Sequence, residues 1–295
     1  MTAQAANDAF EAHRARLLGL GYRMLGTRAE AEDLVQETYL RWHRTPREEI
    51  RSVGAWLSTT MARLCIDELR ARKTREAYVG PWLPEPWLTP TPQDGEGEQE
   101  LALADDLSVA FLLLLERLAP DERAAFLLHD VFDAGYPEIA ATLGKNEAAV
   151  RQIVSRARTR VAESRTRFRP TAAEQDALAK RFKDALLARD ELELLALFKP
   201  EATLYSDGGG KALAALRPIF GAQKIARFFL GVTRDRNPGD FTFTPCWLND
   251  APAIVIRELA GTPFATIALD IDAGLIANVY AVRNPDKLAL LPADI

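Results

Sequence analysis

Arg151, Gln152, Ser155, Arg156 and Thr159 recur at helical spacing, on the side of one segment opposite Val150, Ile153, Val154, Ala157 and Val161. Such a set can read DNA. Arginine donates two bonds to guanine, glutamine pairs bidentately with adenine, and serine or threonine reaches phosphates or base edges. A second set, Thr59, Arg63, Ile66 and Arg70, is spaced i, i+4, i+7 and i+11, with Lys73 nearby. This basic strip suits a nucleic-acid backbone, with Ile66 placed to wedge or stack beside a base. Glu68 falls near the apolar side and spoils the pattern, and a solvated helix face with an incidental isoleucine is the stronger reading of this strip taken alone; for the first set the alternative is a four-helix bundle with a solvated basic edge, which the base excess and tight turn outweigh. A third set, Tyr205, Asp207, Asp270 and Asp272, is ionisable, and a buried Asp serves as a general base when its pKa is raised. No histidine lies in that part of the chain and no acid–base pair has a diagnostic spacing. Strand-end carboxylates more often serve turns than chemistry.

The reading helix needs a tight turn before it. Ala119-Pro120-Asp121-Glu122 starts a helix and Asp133-Ala134-Gly135 stops it. Pro137 then opens a short helix with Ile139, Ala140 and Leu143 on one side, Gly144 turns the chain, and a longer helix begins near Glu147. This is helix-turn-helix punctuation, and it carries the N-terminal half of the last helix into a major groove. The basic strip lies on a helix from about Ser52 to Arg72 whose other side holds Val53, Trp56, Leu57, Thr60, Met61 and Leu64. Before it, Ala31, Leu34, Val35, Thr38 and Trp42 mark another amphipathic helix, with Asp33, Glu37 and Arg41 outside at the spacing of exposed ion pairs.

A chain of 295 residues implies two or three domains. The net charge of −5 excludes a protein that coats nucleic acid without selectivity. Its distribution is uneven: Lys145 to Arg169 holds eight bases against two acids, whereas Pro84 to Asp106 holds seven acids, four prolines and no base. The latter reads as a linker. Three units are expected, at 7–75, 107–168 and 171–295, with the linker at 76–106 and a frayed end over Met1–Ala6. In the third unit a helix over Ala172–Arg189 precedes β-rich runs at Ala202–Ser206, Phe241–Leu248, Ala253–Leu259, Thr266–Asp272 and Ile276–Val282, with a helical pattern at Ile219–Val232. That order predicts an α+β cone, a curved antiparallel sheet covering helices. Cys65 and Cys246 lie far apart and no paired-ligand spacing exists, so neither disulfide, metal nor cofactor is expected. No apolar run approaches 18 residues and no basic-then-apolar leader opens the sequence, which predicts a cytoplasmic chain with no membrane partner.

Three strings carry a family resemblance. AEAEDLVQETYLRWHR (29–44) resembles the polymerase-binding helix of bacterial extracytoplasmic-function (ECF) sigma factors, AWLSTTMARLCIDELRARKTRE (55–76) their promoter-melting helix, and YPEIAATLGKNEAAVRQIVSRAR (136–158) their fourth-region helix-turn-helix. WLPEP (82–86), DGGGK (207–211) and NPDKL (284–288) make the chain similar to the SigJ-like group, in which two all-α sigma domains precede a SnoaL-like/NTF2-like domain. The resemblance implies core RNA polymerase and promoter DNA as partners. It implies that Asp33, Gln36, Glu37 and Trp42 lie on or support the polymerase-binding surface. It further implies that Thr59, Arg63, Ile66, Arg70 and Lys73 act in promoter melting, and that Arg151, Gln152, Ser155, Arg156 and Thr159 read the minus-thirty-five element. Arg63 stands where many of the family carry Asn.

The last domain's fold class hosts isomerases, cyclases and hydrolases around an apolar cavity, but fold alone proves no activity. We expect it to regulate, in the role a separate anti-sigma protein has elsewhere, through contacts of Trp82, Leu83, Pro84, Glu85 and Pro86 with Asp207, Gly208, Gly209, Gly210, Lys211, Asn284, Pro285, Asp286, Lys287 and Leu288. Consecutive glycines permit positive φ and close approach of another segment. A small apolar ligand in the cone would shift the balance. The rival readings are a stand-alone helix-turn-helix regulator and an isomerase or cyclase.

Overall fold

The computed structural model describes residues 3–46, 50, 52–72, 78–91, 106–162, 171–234 and 237–293. Lys73, the acidic stretch 92–105 and the bases Arg165, Arg167 and Arg169 lie outside the described residues. The chain forms two compact units, a helical one over 3–72, 106 and 111–162, and a sheet unit over 78–91, 107–110 and 171–293.

The helical unit holds α1 (Ala3–Leu25), α2 (Arg28–Arg44), α3 (Val53–Arg72), α4 (Val109–Glu116), α5 (Pro120–Phe126, extended by a π turn over Leu127–Val131), α6 (Tyr136–Leu143) and α7 (Glu147–Ala162). The frayed N-terminus expected from the sequence is instead helical from Ala3. Ala6 is buried, and its carbonyl accepts the Trp42 indole N–H at 2.9 Å. Gly21 lets α1, α2 and α3 meet closely, because a Cβ there would overlap Met61 and press on Ala31. Leu17, Leu20, Leu25, Trp42, Leu57 and Met61 fill the core between these helices. Gly144, at φ 63°, ends α6 in the left-handed conformation that glycine adopts without penalty, and Asn146 caps α7 by accepting the Ala149 N–H at 2.8 Å. Arg123 ties the two helical segments into one unit: its nearly buried guanidinium donates to the Met24 carbonyl at 2.5 Å and to Glu116 at 2.8 Å. Burial lowers its pKa and Glu116 opposes that shift.

The sheet unit contains α8 (Ala172–Ala188), α9 (Glu191–Leu197), β1 (Phe198–Asp207), β2 (Ile219–Phe220), α10 (Ala222–Arg234), β3 (Phe241–Leu248), β4 (Ala251–Glu258), β5 (Pro263–Asp272), β6 (Leu275–Val282) and α11 (Pro285–Leu288). Thr171 and Glu174 form a capping box that starts α8, and Asp190 caps α9. Strand order is β2-β1-β6-β5-β4-β3. The sheet is mixed rather than antiparallel as expected: β1 runs parallel to β6, and every other pair is antiparallel. Alternation along a strand tells which face is buried but not which way its neighbour runs. On the core face Leu204, Ile254, Ile267, Leu269 and Val279 pack with Phe182, Leu186 and Phe229 of α8 and α10.

Residues 78–91 are built into this unit. Leu88 bridges Leu248, Thr89 N–H donates to the Trp247 carbonyl at 3.0 Å, and Trp87 and Asn249 exchange two bonds of 3.1 and 2.8 Å. The segment therefore borders the end of β3, an edge strand whose backbone groups would otherwise lack a neighbour.

Candidate functional site

Arg151, Gln152, Ser155, Arg156 and Thr159 are all exposed on α7, while Val150, Ile153, Val154, Ala157 and Val161 are buried. Arg151 lies 4.4 Å over the Tyr136 ring and pairs with Glu147 at 3.3 Å; Arg156 stands 3.9 Å from Glu122. The Thr159 hydroxyl donates to the Ser155 carbonyl at 3.2 Å. Exposed pairs of this kind contribute about 0–1 kcal/mol, so phosphate or base contacts can replace them.

The strip on α3 is partly engaged by α5 and α6, with Ile66 buried and Arg63 and Arg70 still exposed. Arg63 donates to the carbonyls of Ala141 and Thr142 at 2.6 and 3.1 Å, the Thr142 hydroxyl donates to Thr59 at 3.2 Å, and Arg70 pairs with Asp121 at 2.7 Å. Ile66, expected at a free surface, is 4 % exposed. Arg63 meets the last carbonyls of α6, where a cation satisfies orphan acceptors and the negative end of the helix dipole. On α2, Asp33 and Gln36 are exposed and Glu37 pairs with Arg41 at 2.8 Å. Trp42 is fully buried against Trp56, so it supports that surface from within.

In the sheet unit the WLPEP, DGGGK and NPDKL segments come together around one carboxylate. Asp207, 0 % exposed, accepts the Tyr78 hydroxyl at 2.5 Å, the Leu83 N–H at 2.9 Å and the Lys287 ammonium at 2.7 Å. Lys287 also donates to the Leu83 carbonyl and lies within 4.8 Å of the Tyr78 ring and 4.6 Å of the Trp82 ring. Asn284 donates to the Tyr78 oxygen at 2.9 Å, and the backbone N–H groups of Arg283 and Asn284 donate to the Asp207 carbonyl at 2.7 and 3.0 Å. Gly209 has φ 57° and its missing Cβ is the space taken by the Asn284 amide; a Cβ on Gly208 would strike the Ala212 carbonyl. A Cβ on Gly210 would press on Val79, and Lys211 pairs with Asp286. Leu83, Pro84, Glu85, Pro86 and Leu288 are buried and Trp82 half-buried, whereas Pro285 and Asp286 are exposed. Tyr78 had no signal in the sequence: it precedes WLPEP with nothing local to mark it. Burial, and then its bond to Asp207, push its phenol well above the usual tyrosine value.

An apolar cavity of about 110 Å³ opens between α8, α10 and the core face of the sheet. None of the four candidate acid–base residues lines it. Asp207 is spent on the linker, Tyr205 stacks on Tyr280 at 5.7 Å, Asp270 accepts from Asn278 at 2.8 Å, and Asp272 pairs with Lys199. Among the described residues no group of three potential metal ligands occurs, and no helix is long and apolar enough to cross a membrane.

An exposed helix-turn-helix face, a basic α3 strip engaged by that same motif, and a linker locked onto an α+β domain define a two-region helical architecture with an appended domain. The family model of sigma-70 region 2 matches residues 9–75, and that of sigma-70 region 4 matches 108–161. The chain is 37 % identical to the ECF RNA polymerase sigma factor SigJ of Mycobacterium tuberculosis, covering 96 % of this chain and 93 % of SigJ. It is 29 % identical to the probable ECF sigma factor SigI of that organism, over 97 % of this chain and 96 % of the relative. The crystal structure of Mycobacterium tuberculosis SigJ superposes with a TM-score of 0.75 at 34 % identity, covering 96 % of this chain and 98 % of that one. The chain belongs to the ECF RNA polymerase sigma factors. It is a transcription initiation factor, and its two sigma regions imply core RNA polymerase and promoter DNA as partners.

Proposed function

We propose that the C-terminal α+β domain controls this sigma factor from within the chain, by holding or releasing the linker between its two sigma regions. The observation that carries the reading is the buried Asp207 carboxylate, which binds Tyr78, the Leu83 backbone and Lys287 at once. A linker so bound gives up its slack, and slack is what the two regions need in order to separate. Separation frees this strip, because Ile66 is buried, Thr59 is half-buried and bonded to Thr142, and the exposed Arg63 and Arg70 are engaged by the α6 carbonyls and Asp121. Once released, these residues with Lys73 open the promoter, Arg151, Gln152, Ser155, Arg156 and Thr159 read the upstream element, and the face of Asp33, Gln36 and Glu37, backed by Trp42, meets polymerase. A tethered partner acts at an effective concentration on the order of mM, so modest contacts hold the closed state and polymerase must outcompete them. The protein works in the cytoplasm, with its template. A small apolar ligand in the cavity shifts the balance to the extent that it binds the held and released states unequally.

Run-off transcription with purified core polymerase tests the reading on the full chain, on Lys287→Met, and on chains ending at Arg169 and at Asn284. Lys287→Met and the chain ending at Asn284 should initiate more often than the full chain, from the same start site. Equal output from all of them rejects control through the linker. Initiation by none rejects a sigma role for this chain.

A further inference from the structure

Arg151, on the exposed face of α7, lies over an aromatic ring. Its guanidinium carbon is 4.4 Å from the centroid of Tyr136, and Glu147, one turn earlier on α7, accepts from it at 3.3 Å. Tyr136 is the first residue of α6. Pro137 and Glu138, whose carboxylate accepts the Gly135 N–H at 3.4 Å, fix where that helix begins. The half-buried Tyr136 ring rests against His129 of the π turn, with 4.6 Å between centroids. His129 is held in turn: Arg158 donates to its Nδ1 at 3.0 Å and to Asp130 at 2.7 Å. A continuous chain of contacts therefore runs from the π turn and the later part of α7 to the Arg151 side chain.

Bidentate recognition of guanine asks for one orientation of the guanidinium, with its N–H edge in the plane of the base. An arginine on a bare helix face samples many rotamers and must give them up on binding. Cation–π attraction to Tyr136 and the ion pair with Glu147 narrow that set beforehand, from two side chains anchored on different helices. We infer that Tyr136 is a positioning residue for base recognition: it holds the Arg151 guanidinium in the orientation that reads a guanine, and so sets selectivity at one base pair. The inference rests on the function proposed above, in which Arg151 faces the upstream element.

Two other roles for the same ring make different demands. A ring that only packs α6 against its neighbours would affect every base pair alike, through the stability of the motif. A phenol that donates to a phosphate would also act on all sequences uniformly, and would be lost with the hydroxyl. Positioning through Arg151 acts at one base pair and needs the face of the ring, not its oxygen.

Core polymerase carrying the full chain, used to select duplexes from a pool randomised over both promoter elements, tests the assignment when the four bases are then competed at each recovered position. Arg151→Ala should erase a guanine preference at one position. Tyr136→Ala and Tyr136→Leu should lower that same preference about two- to fivefold, the range of an exposed cation–π contact, and leave the other positions as they were. Tyr136→Phe, which keeps the ring, should retain it. A preference at that position that survives Tyr136→Leu, a loss shared equally by all positions, or a loss in Tyr136→Phe as large as in Tyr136→Leu each overturns the inference while leaving Arg151 as a base-reading residue. An Arg151→Ala variant that alters no position overturns the inference and the proposed reading of the upstream element together.

Discussion

Replacing Asp207 with Asn keeps the shape of the side chain and removes its charge. The Lys287 ammonium, 7 % exposed on its side chain, then faces an amide, and the remaining oxygen cannot accept from Tyr78, Leu83 and Lys287 together. Breaking a buried ion pair by neutralising one partner costs about 3–5 kcal/mol, mostly because the other charge is stranded. Opening the lock becomes easier by that amount, and at about 1.4 kcal/mol per decade the exchange of the Leu83 amide should accelerate by roughly two to nearly four orders of magnitude. Hydrogen exchange measured by mass spectrometry on peptides spanning 78–91 reads this, with peptides from β4 as the control for the sheet. Lys287→Met alone strands the carboxylate in the same way. The double variant strands neither charge, so its loss should fall short of the sum of the two by about 2 kcal/mol or more. Exchange at Leu83 within about threefold of the unaltered protein, or strictly additive losses, would refute the buried charge as what holds the linker.

Gly209→Ala places a methyl where the Asn284 amide sits and forces φ 57° on a residue with a Cβ; a loss of about 1–3 kcal/mol is expected in urea unfolding of the sheet unit. Arg63→Met removes two bonds to the end of α6 from an exposed side chain, and should lower the stability of the helical unit by about 0.5–1.5 kcal/mol, measured as a shift in urea midpoint. Burial raises the Cys246 thiol to about 11, from an ordinary 9.0, so at pH 8 its thiolate fraction and disulfide-reagent rate should be about a hundredfold below a free thiol's. The fully buried Cys65, raised further, should react only on unfolding. Because the Tyr78 phenol is raised in the folded state, its contribution is complete below its unfolded value of about 10 and is lost as pH climbs beyond that. Linker exchange should therefore quicken above pH 10, and Tyr78→Phe should flatten that rise.

Residue periodicity disclosed α2, α3, α6 and α7, because Ala31, Val35 and Trp42 or Val150, Ile153 and Ala157 repeat at the helical interval and bury together. Helix α1 escaped notice: Gly19 and Gly21 weaken its local propensity, and the reason for Gly21 is the approach of α3, a distant segment. Helix α9 and the parallel neighbour of β1 were hidden for a similar reason, since pairing partners are chosen in three dimensions. Ile66 stood out as an apolar residue in a basic row, but whether that row met solvent, DNA or another helix could not be read from it. The three short motifs were visible as strings, and Asp207 as an acid; that Asp207 gathers all three depended on Lys287 and on Tyr78, which no local pattern marks.

The parallel pairing of β1 with β6 has a consequence for biosynthesis. Ribosomes deliver the chain from its N-terminus, and both helical segments emerge before Leu275–Val282 is available to complete the sheet beside Phe198–Asp207. Lys287 arrives later still. A nascent chain thus lacks the Asp207–Lys287 pair until Lys287 has been added, and termination upstream of Lys287 would release a copy that cannot form it.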